Sequence, residues 1–279
     1  MVFQRKIKEG ELSAMKYKFE SYYLDSPIVR GRALDVFEPD RITKDTAIFM
    51  VHGGGWRVGS RSKFHEIMEE FNNRGYIVAS ADYRLYAKDA FEQIIDLRSA
   101  YDKFVTILKE KERPIKIVVY GESAGAHLAS FLLCTTPEEM NEENKLINEW
   151  VKPCKGILQS TPMDFLPWEG MMPQTWDMIQ SAAGVSYSQN PEVYEKLSLK
   201  NYISESNPPI FFMEAELEHM FLSEHTLKAV KMHRDAQISS HWKVYQKMEH
   251  GFFFELKRKA QIEAFEDICL FIEDKLITI

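Results

Sequence analysis

Short runs rich in β-branched and aromatic residues recur at 47–51, 76–81, 115–120, 155–159, 210–215 and 241–245, and the stretches between them carry apolar residues at helical spacing. Two of those stretches are well defined. Residues 91–111 place Ile94, Ile95, Leu97, Tyr101, Phe104, Val105 and Leu108 on one side, and residues 260–276 do the same with Ile262, Phe265, Ile268 and Phe271. Strands that alternate with helices predict an α/β fold, with a mostly parallel central sheet covered by helices on both faces. Residues 161–207 break the alternation between two predicted strands and are rich in Met, Trp and Pro. They are expected to form a small cap inserted into one domain spanning 1–279.

No period of 20 to 50 residues and no low-complexity tract is present, which removes solenoids and propellers. The 279 residues, 45% hydrophobic and 28% charged, have the make-up of a globular enzyme and argue against disorder or coiled coil. A net charge of -7 gives no electrostatic reason to bind nucleic acid or an anionic membrane. Cys134, Cys154 and Cys269 are spaced too widely for C-x-x-C chemistry, so free thiols and no metal site are expected. The opening MVFQRKIKEGELSAMKYKFE lacks the apolar core of a signal peptide, and no run approaches a membrane span, so a cytoplasmic location is the expectation. The oligomeric state stays open, with a homodimer among the options.

The candidate chemistry sits at the ends of predicted strands. Gly121-Glu122-Ser123-Ala124-Gly125 follows the run 115–120 and opens an Ala/Leu-rich helical pattern. In that context G-x-S-x-G is a nucleophile elbow, a sharp strand-to-helix turn that holds a serine out above the sheet and needs glycines because side chains there would collide. The pentapeptide alone arises by chance in about one of ten chains of this size, so the flanking strand and helix carry the inference. The run 47–51 leads directly into His52-Gly53-Gly54-Gly55-Trp56. Such a loop lets backbone N–H groups approach the oxygen that gains negative charge during acyl transfer, and Gly54, Gly55 and Ala124 are the expected donors. A phosphate-cradling reading fails because no Lys-Ser/Thr follows and no G-x-G-x-x-G spacing exists. His52 is expected to brace the loop rather than move protons.

Among eight histidines, His250 falls just after the last predicted strand, the place from which a loop histidine reaches a serine above the sheet. His65, His225 and His233 fall on predicted helices, where solvated positions are expected; His127 lies within the helix after Ser123 and His241 opens a strand. The acid that orients the base should follow the run 210–215, where NPPIFFMEAELEHMF supplies Glu214, Glu216 and Glu218. Glu218, farthest past the strand, is the first choice, with Asp164 and Glu216 as alternatives. Trp56, Trp168, Met171, Met172 and Trp176 are candidates to line a substrate pocket, against packing of the insertion as the plainer account.

HGGGW, ADYRL at 81–85, GESAG, NPPIFF and HGF at 250–252 stand in one order over about 31–276. In that order the chain resembles the α/β-hydrolases, specifically the hormone-sensitive-lipase-like esterases and related acetyl or feruloyl esterases. The resemblance implies Ser123, Glu218 and His250 as a Ser-acid-His set, with Gly54, Gly55 and Ala124 as the oxyanion hole. Glu218 stands where most members have Asp, Ala215 replaces a usual glycine, and Leu85-Tyr86-Ala87-Lys88 replaces the common LAPE, marking a divergent member. The expected activity is hydrolysis of small, short-acyl esters of the acetyl type through an acyl-enzyme, with a small-molecule ester as substrate and no cofactor. An amidase, formamidase or small peptidase of the same fold is the alternative, and a non-catalytic ligand-binding relative lies further off.

Overall fold

A computed structural model describes residues 3–4, 17–25, 32–140, 142–143 and 146–277. Most of the N-terminal stretch on which the signal-peptide expectation rests lies outside the described residues.

The strands β1 (Phe3–Gln4), β2 (Glu20–Tyr23), β3 (Ala33–Phe37), β4 (Thr46–Val51), β5 (Ile77–Ala81), β6 (Lys116–Glu122), β7 (Lys155–Gln159), β8 (Ile210–Leu217) and β9 (His241–Glu249) form one sheet in the order β1-β2-β3-β5-β4-β6-β7-β8-β9. From β5 to β9 every pairing is parallel, as expected. The antiparallel strands β1 to β3, at one edge, have no counterpart in the sequence reading. They are short, and the stretches around them lack the strong apolar alternation that identifies a strand.

Helices α1 (His65–Asn73), α2 (Ala90–Glu110), α3 (Ala124–Cys134), α4 (Pro173–Ala183), α5 (Pro191–Leu197), α6 (Ser223–Asp235) and α7 (Lys259–Ile272) complete the element order. Successive side chains of a strand point to opposite faces, and β4 divides accordingly. Ala47, Phe49 and Val51 pack with Leu97, Tyr101 and Phe104 of α2 and Leu128 and Phe131 of α3. Ile48 and Met50 pack instead with Ile67, Met68 and Phe71 of α1 and Phe265, Ile268 and Phe271 of α7. Burial on both faces explains why β4 reads as an unbroken apolar run from Ala47 to Val51 rather than an alternating one. One helical expectation is corrected: Ile262 is 48% exposed, because α7 turns Ala264, Phe265 and Ile268 inward.

Strand order reverses at β4, whose neighbours β5 and β6 lead away in opposite directions. In open parallel sheets the crevice beyond the carboxyl ends at such a point is where ligands bind. HGGGW leaves β4 and GESAG ends β6, so both glycine motifs converge there. The far end of the sheet is tied by Lys155, whose Nζ donates to Phe271 O at 2.8 Å, Ile272 O at 2.9 Å and Asp274 Oδ1 at 2.7 Å. It thereby adds a donor to the carbonyls at the end of α7, of which Phe271 O also accepts from Asp274 N at 3.2 Å. Replacing it with Met (Lys155→Met) is expected to lower unfolding free energy by about 1–3 kcal/mol; urea titration would detect this, and an unchanged midpoint would refute it.

Candidate active site

Ser123 closes the turn between β6 and α3 with φ 53° and ψ -123°, a left-handed backbone that non-glycine residues adopt at a cost of about 1–3 kcal/mol. The turn is tight: a β-carbon on Gly121 would sit 2.5 Å from Gly125 O. Backbone bonds from Ser123 N to Gln159 O at 2.8 Å and from His127 N to Ser123 O at 3.0 Å hold it. Ser123 is only 7% exposed.

His250 lies in the turn after β9. Its Nε2 is 2.7 Å from Ser123 Oγ and its Nδ1 is 2.8 Å from Glu218 Oε2. A carboxylate accepts the Nδ1 proton, which leaves Nε2 free to accept from the serine hydroxyl. Burial pushes the Glu218 carboxyl up, but the hydrogen bond and charge of His250 and the Met220 N–H outweigh it, and the group stays below its ordinary value. Thus Ser123, His250 and Glu218 come together as the sequence ordered them.

The alternative acids are occupied elsewhere. Asp164 accepts from Lys200 Nζ at 2.7 Å, Ser198 Oγ at 3.1 Å and Leu166 N at 3.0 Å. Glu216 is exposed and accepts from Lys247 N at 2.7 Å. Glu214 is buried in β8, where loss of solvation pushes its carboxyl up to about 8, the Thr226 hydroxyl at 2.8 Å opposes the shift, and the Glu218 charge adds to it.

The HGGGW loop meets the elbow directly. A β-carbon on Gly53 would lie 3.0 Å from Ser123 Cβ, and one on Gly125 would lie 2.4 Å from both His52 O and Val51 O. Gly54 and Gly55 have φ of 116° and 56°, and the carbonyl of Gly54 accepts from Arg57 N at 3.1 Å and Val58 N at 3.0 Å. His52 braces the loop: Nδ1 lies 2.8 Å from Gly53 O, the ring stacks on Tyr83 with centroids 4.5 Å apart, and Tyr83 Oη donates to His52 O at 3.1 Å. Burial holds its imidazole below the ordinary value, so it stays neutral at neutral pH.

Trp56 is 3% exposed. Its indole N–H donates to His127 Nδ1 at 3.3 Å and its ring stands edge-on to Phe165; it also lines a cavity of about 360 Å³ with Arg57, Lys88 and Gln93. Burial drives His127 down to about 4 while Nε2 donates to Leu197 O at 2.7 Å. Residues 161–207 fold as α4, α5 and a 3-10 turn at Leu199–Tyr202. Within it, Trp176 packs on Tyr187 and Tyr194 and Trp168 stands edge-on to His225, while Met171 and Met172 are half-buried. Two solvated histidines of the sequence reading prove otherwise. His233 is fully buried against Ser240, and His65 pairs with Asp35 at 2.9 Å.

Two residues near the site went unread in the sequence. Met178 Sδ would lie 2.8 Å from a β-carbon on Gly55, and the Phe221 ring is 5.7 Å from that of His250. Phe221 sits three residues past Glu218, which is a usable signal; Met178 arrives from α4 by tertiary folding alone.

This architecture, with its nucleophile turn and glycine loop at the switch point, is that of the α/β-hydrolases. Within that class the BD-FAE family profile matches residues 34–229, and the chain belongs to the BD-FAE family. It is 30% identical over 142 residues to a probable isoprenylcysteine alpha-carbonyl methylesterase of Arabidopsis thaliana, covering 48% of this chain and 29% of that one. It is 32% identical over 105 residues to a kynurenine formamidase of Drosophila melanogaster, covering 37% and 35%. The chain thus spans about a third of the length of these curated relatives. Among solved structures it superposes on Thermogutta terrifontis esterase 2 phosphonylated by sarin with a TM-score of 0.71, 21% identity and coverage of 89% of this chain and 92% of the other. That likeness is one of fold.

Two predictions follow from the packing of the site. In Gly125→Ala the added methyl pushes the elbow away from β4, so stability should fall by about 1–3 kcal/mol and labelling of Ser123 by a fluorophosphonate probe should slow about 10²-fold; an unchanged labelling rate would show that the close approach is dispensable. Glu214 keeps its proton from its ordinary 4.5 up to about 8 only when folded. The stability linked to that proton is therefore present below the lower value and lost as pH rises through the upper one. Glu214→Gln should gain melting temperature relative to the unsubstituted protein between about pH 5 and about pH 9, and parallel curves would contradict the assignment.

Proposed function

We propose that the protein is a serine carboxylic ester hydrolase acting on small esters with short, acetyl-type acyl groups. One observation carries this reading: His250 bridges Ser123 and Glu218 through hydrogen bonds of 2.7 and 2.8 Å. His250 Nε2 takes the Ser123 proton as Oγ attacks the ester carbonyl carbon, and the imidazolium is held by the adjacent carboxylate. The oxyanion accepts hydrogen bonds from the N–H groups of Gly54, Gly55 and Ala124. Collapse passes the proton from His250 to the leaving alcohol, and water, deprotonated by the same imidazole, then releases the acid and restores the serine. Met178 over Gly55 and Phe221 beside His250 narrow the space at the reacting carbon, which supports small acyl groups. Residues 161–207, which supply Met178, are read as a cap over the site.

A formamidase is the second reading, favoured by the match to kynurenine formamidase over 105 residues. The triad chemistry is common to both, so leaving-group preference decides. Ser123→Ala is expected to lower kcat on p-nitrophenyl acetate by about 10⁴–10⁶-fold and Glu218→Ala by about 10³-fold or more, with rates falling from acetate through butyrate to octanoate. Folded protein inactive on every ester but active on aryl formamides would replace the first reading with the second.

A further inference from the structure

Glu122 holds the variable position of GESAG and is 3% exposed. Strand alternation sends its side chain to the same face as Tyr120, whose ring meets Phe64 and Phe253 at 5.4 and 5.8 Å. The Glu122 carboxylate accepts from Lys63 Nζ at 2.5 Å, a residue of the 3-10 turn Arg61–Phe64. Two of its other neighbours are backbone. A β-carbon on Gly251, directly after His250, would lie 2.4 Å from Glu122 Oε1, and one on Gly53 would lie 3.2 Å from Glu122 Cδ.

A well-packed apolar pair of similar volume serves stability as well as a buried ion pair or better, so packing alone does not account for charge among these rings. What the carboxylate adds is a fixed body touching three segments that must keep register: its own elbow, the oxyanion loop at Gly53 and the histidine loop at Gly251. We propose that the Lys63–Glu122 pair is a positioning device, which sets the separation of these three loops and with it the geometry in which Ser123, the oxyanion donors and His250 meet. Lys63 holds Oε2 of the carboxylate, while Oε1 lies toward Gly251, and the Lys63 Nζ sits 5.9 Å from the Phe254 ring in the segment after His250. The proposal rests on the serine-hydrolase reading of the site.

The test compares Lys63→Met, Glu122→Gln and the double variant by melting temperature, by kcat and KM on p-nitrophenyl acetate, and by the downfield NMR resonance of the His250 Nδ1 proton. Glu122→Gln should lower kcat about 10–100-fold with KM within about threefold, the signature of misplaced groups rather than lost substrate contacts. Lys63→Met strands a buried carboxylate and should lower the melting temperature by about 5 °C or more. The double variant should recover that stability while kcat stays at the Glu122→Gln level. Recovery of kcat together with stability, or a Glu122→Gln kcat within about twofold of the unsubstituted protein, would overturn the proposal. Should the unsubstituted protein show no Ser123-dependent turnover, the esterase reading falls and the resonance decides: a shifted or lost signal in Glu122→Gln supports positioning, and an unchanged one refutes it.

Discussion

At Gly125 the helix that follows Ser123 lies so close to β4 that any side chain would strike the carbonyls of Val51 and His52. The parallel pairing of β4 with β6 imposes this contact, because it brings the two strand ends out side by side, with Val51 opposite Gly121. Two loops must then occupy one small volume, and only backbone without side chains fits. The glycines of both motifs and the left-handed φ of Ser123 go with that contact. The candidate site lies where the strand order turns, and the crowding there is what demands glycine at both motifs.

Charge is distributed around this point by environment rather than by residue type. Four acids, Glu122, Asp164, Glu214 and Glu218, are largely withdrawn from solvent, and each has a different partner. Glu218 gains His250, which holds its carboxyl below the ordinary value against the effect of burial. Glu214, four residues earlier on the same chain segment, gains only a hydroxyl and keeps its proton. Asp164 is neutralised by Lys200 and Glu122 by Lys63. Of the four, Glu218 is the one hydrogen-bonded to His250.

The histidines repeat the lesson. His52 and His127 both lie within the glycine-loop and elbow region, yet both are buried, held below their ordinary value and committed to backbone carbonyls. They shape the loops, as the sequence suggested for His52, while His250 alone keeps a ring nitrogen turned toward Ser123. Trp56 follows the same logic, its indole N–H anchored on His127 beneath the loop.

The amino-acid sequence by itself determined the parallel αβ layering, the strand-to-helix turn at Ser123 and the glycine loop, and it singled out His250 and, ahead of Asp164 and Glu216, Glu218 as candidates. Each is written in local signals: apolar runs of strand length, helical spacing, glycines flanking a serine, and chain order. Local backbone physics sets these features, so neighbours in sequence suffice to read them. Tertiary structure gave Glu214, Glu216, Glu218 and Asp164 their different hydrogen-bond partners, Thr226, Lys247, His250 and Lys200, which the chain brings from other segments. It also decided that Met178 reaches Gly55, that Glu122 touches Gly53 and Gly251, that His233 is buried, and that β1 to β3 extend the sheet. Those contacts join residues distant along the chain, and no periodicity or spacing records them; they exist only once packing has chosen which surfaces meet.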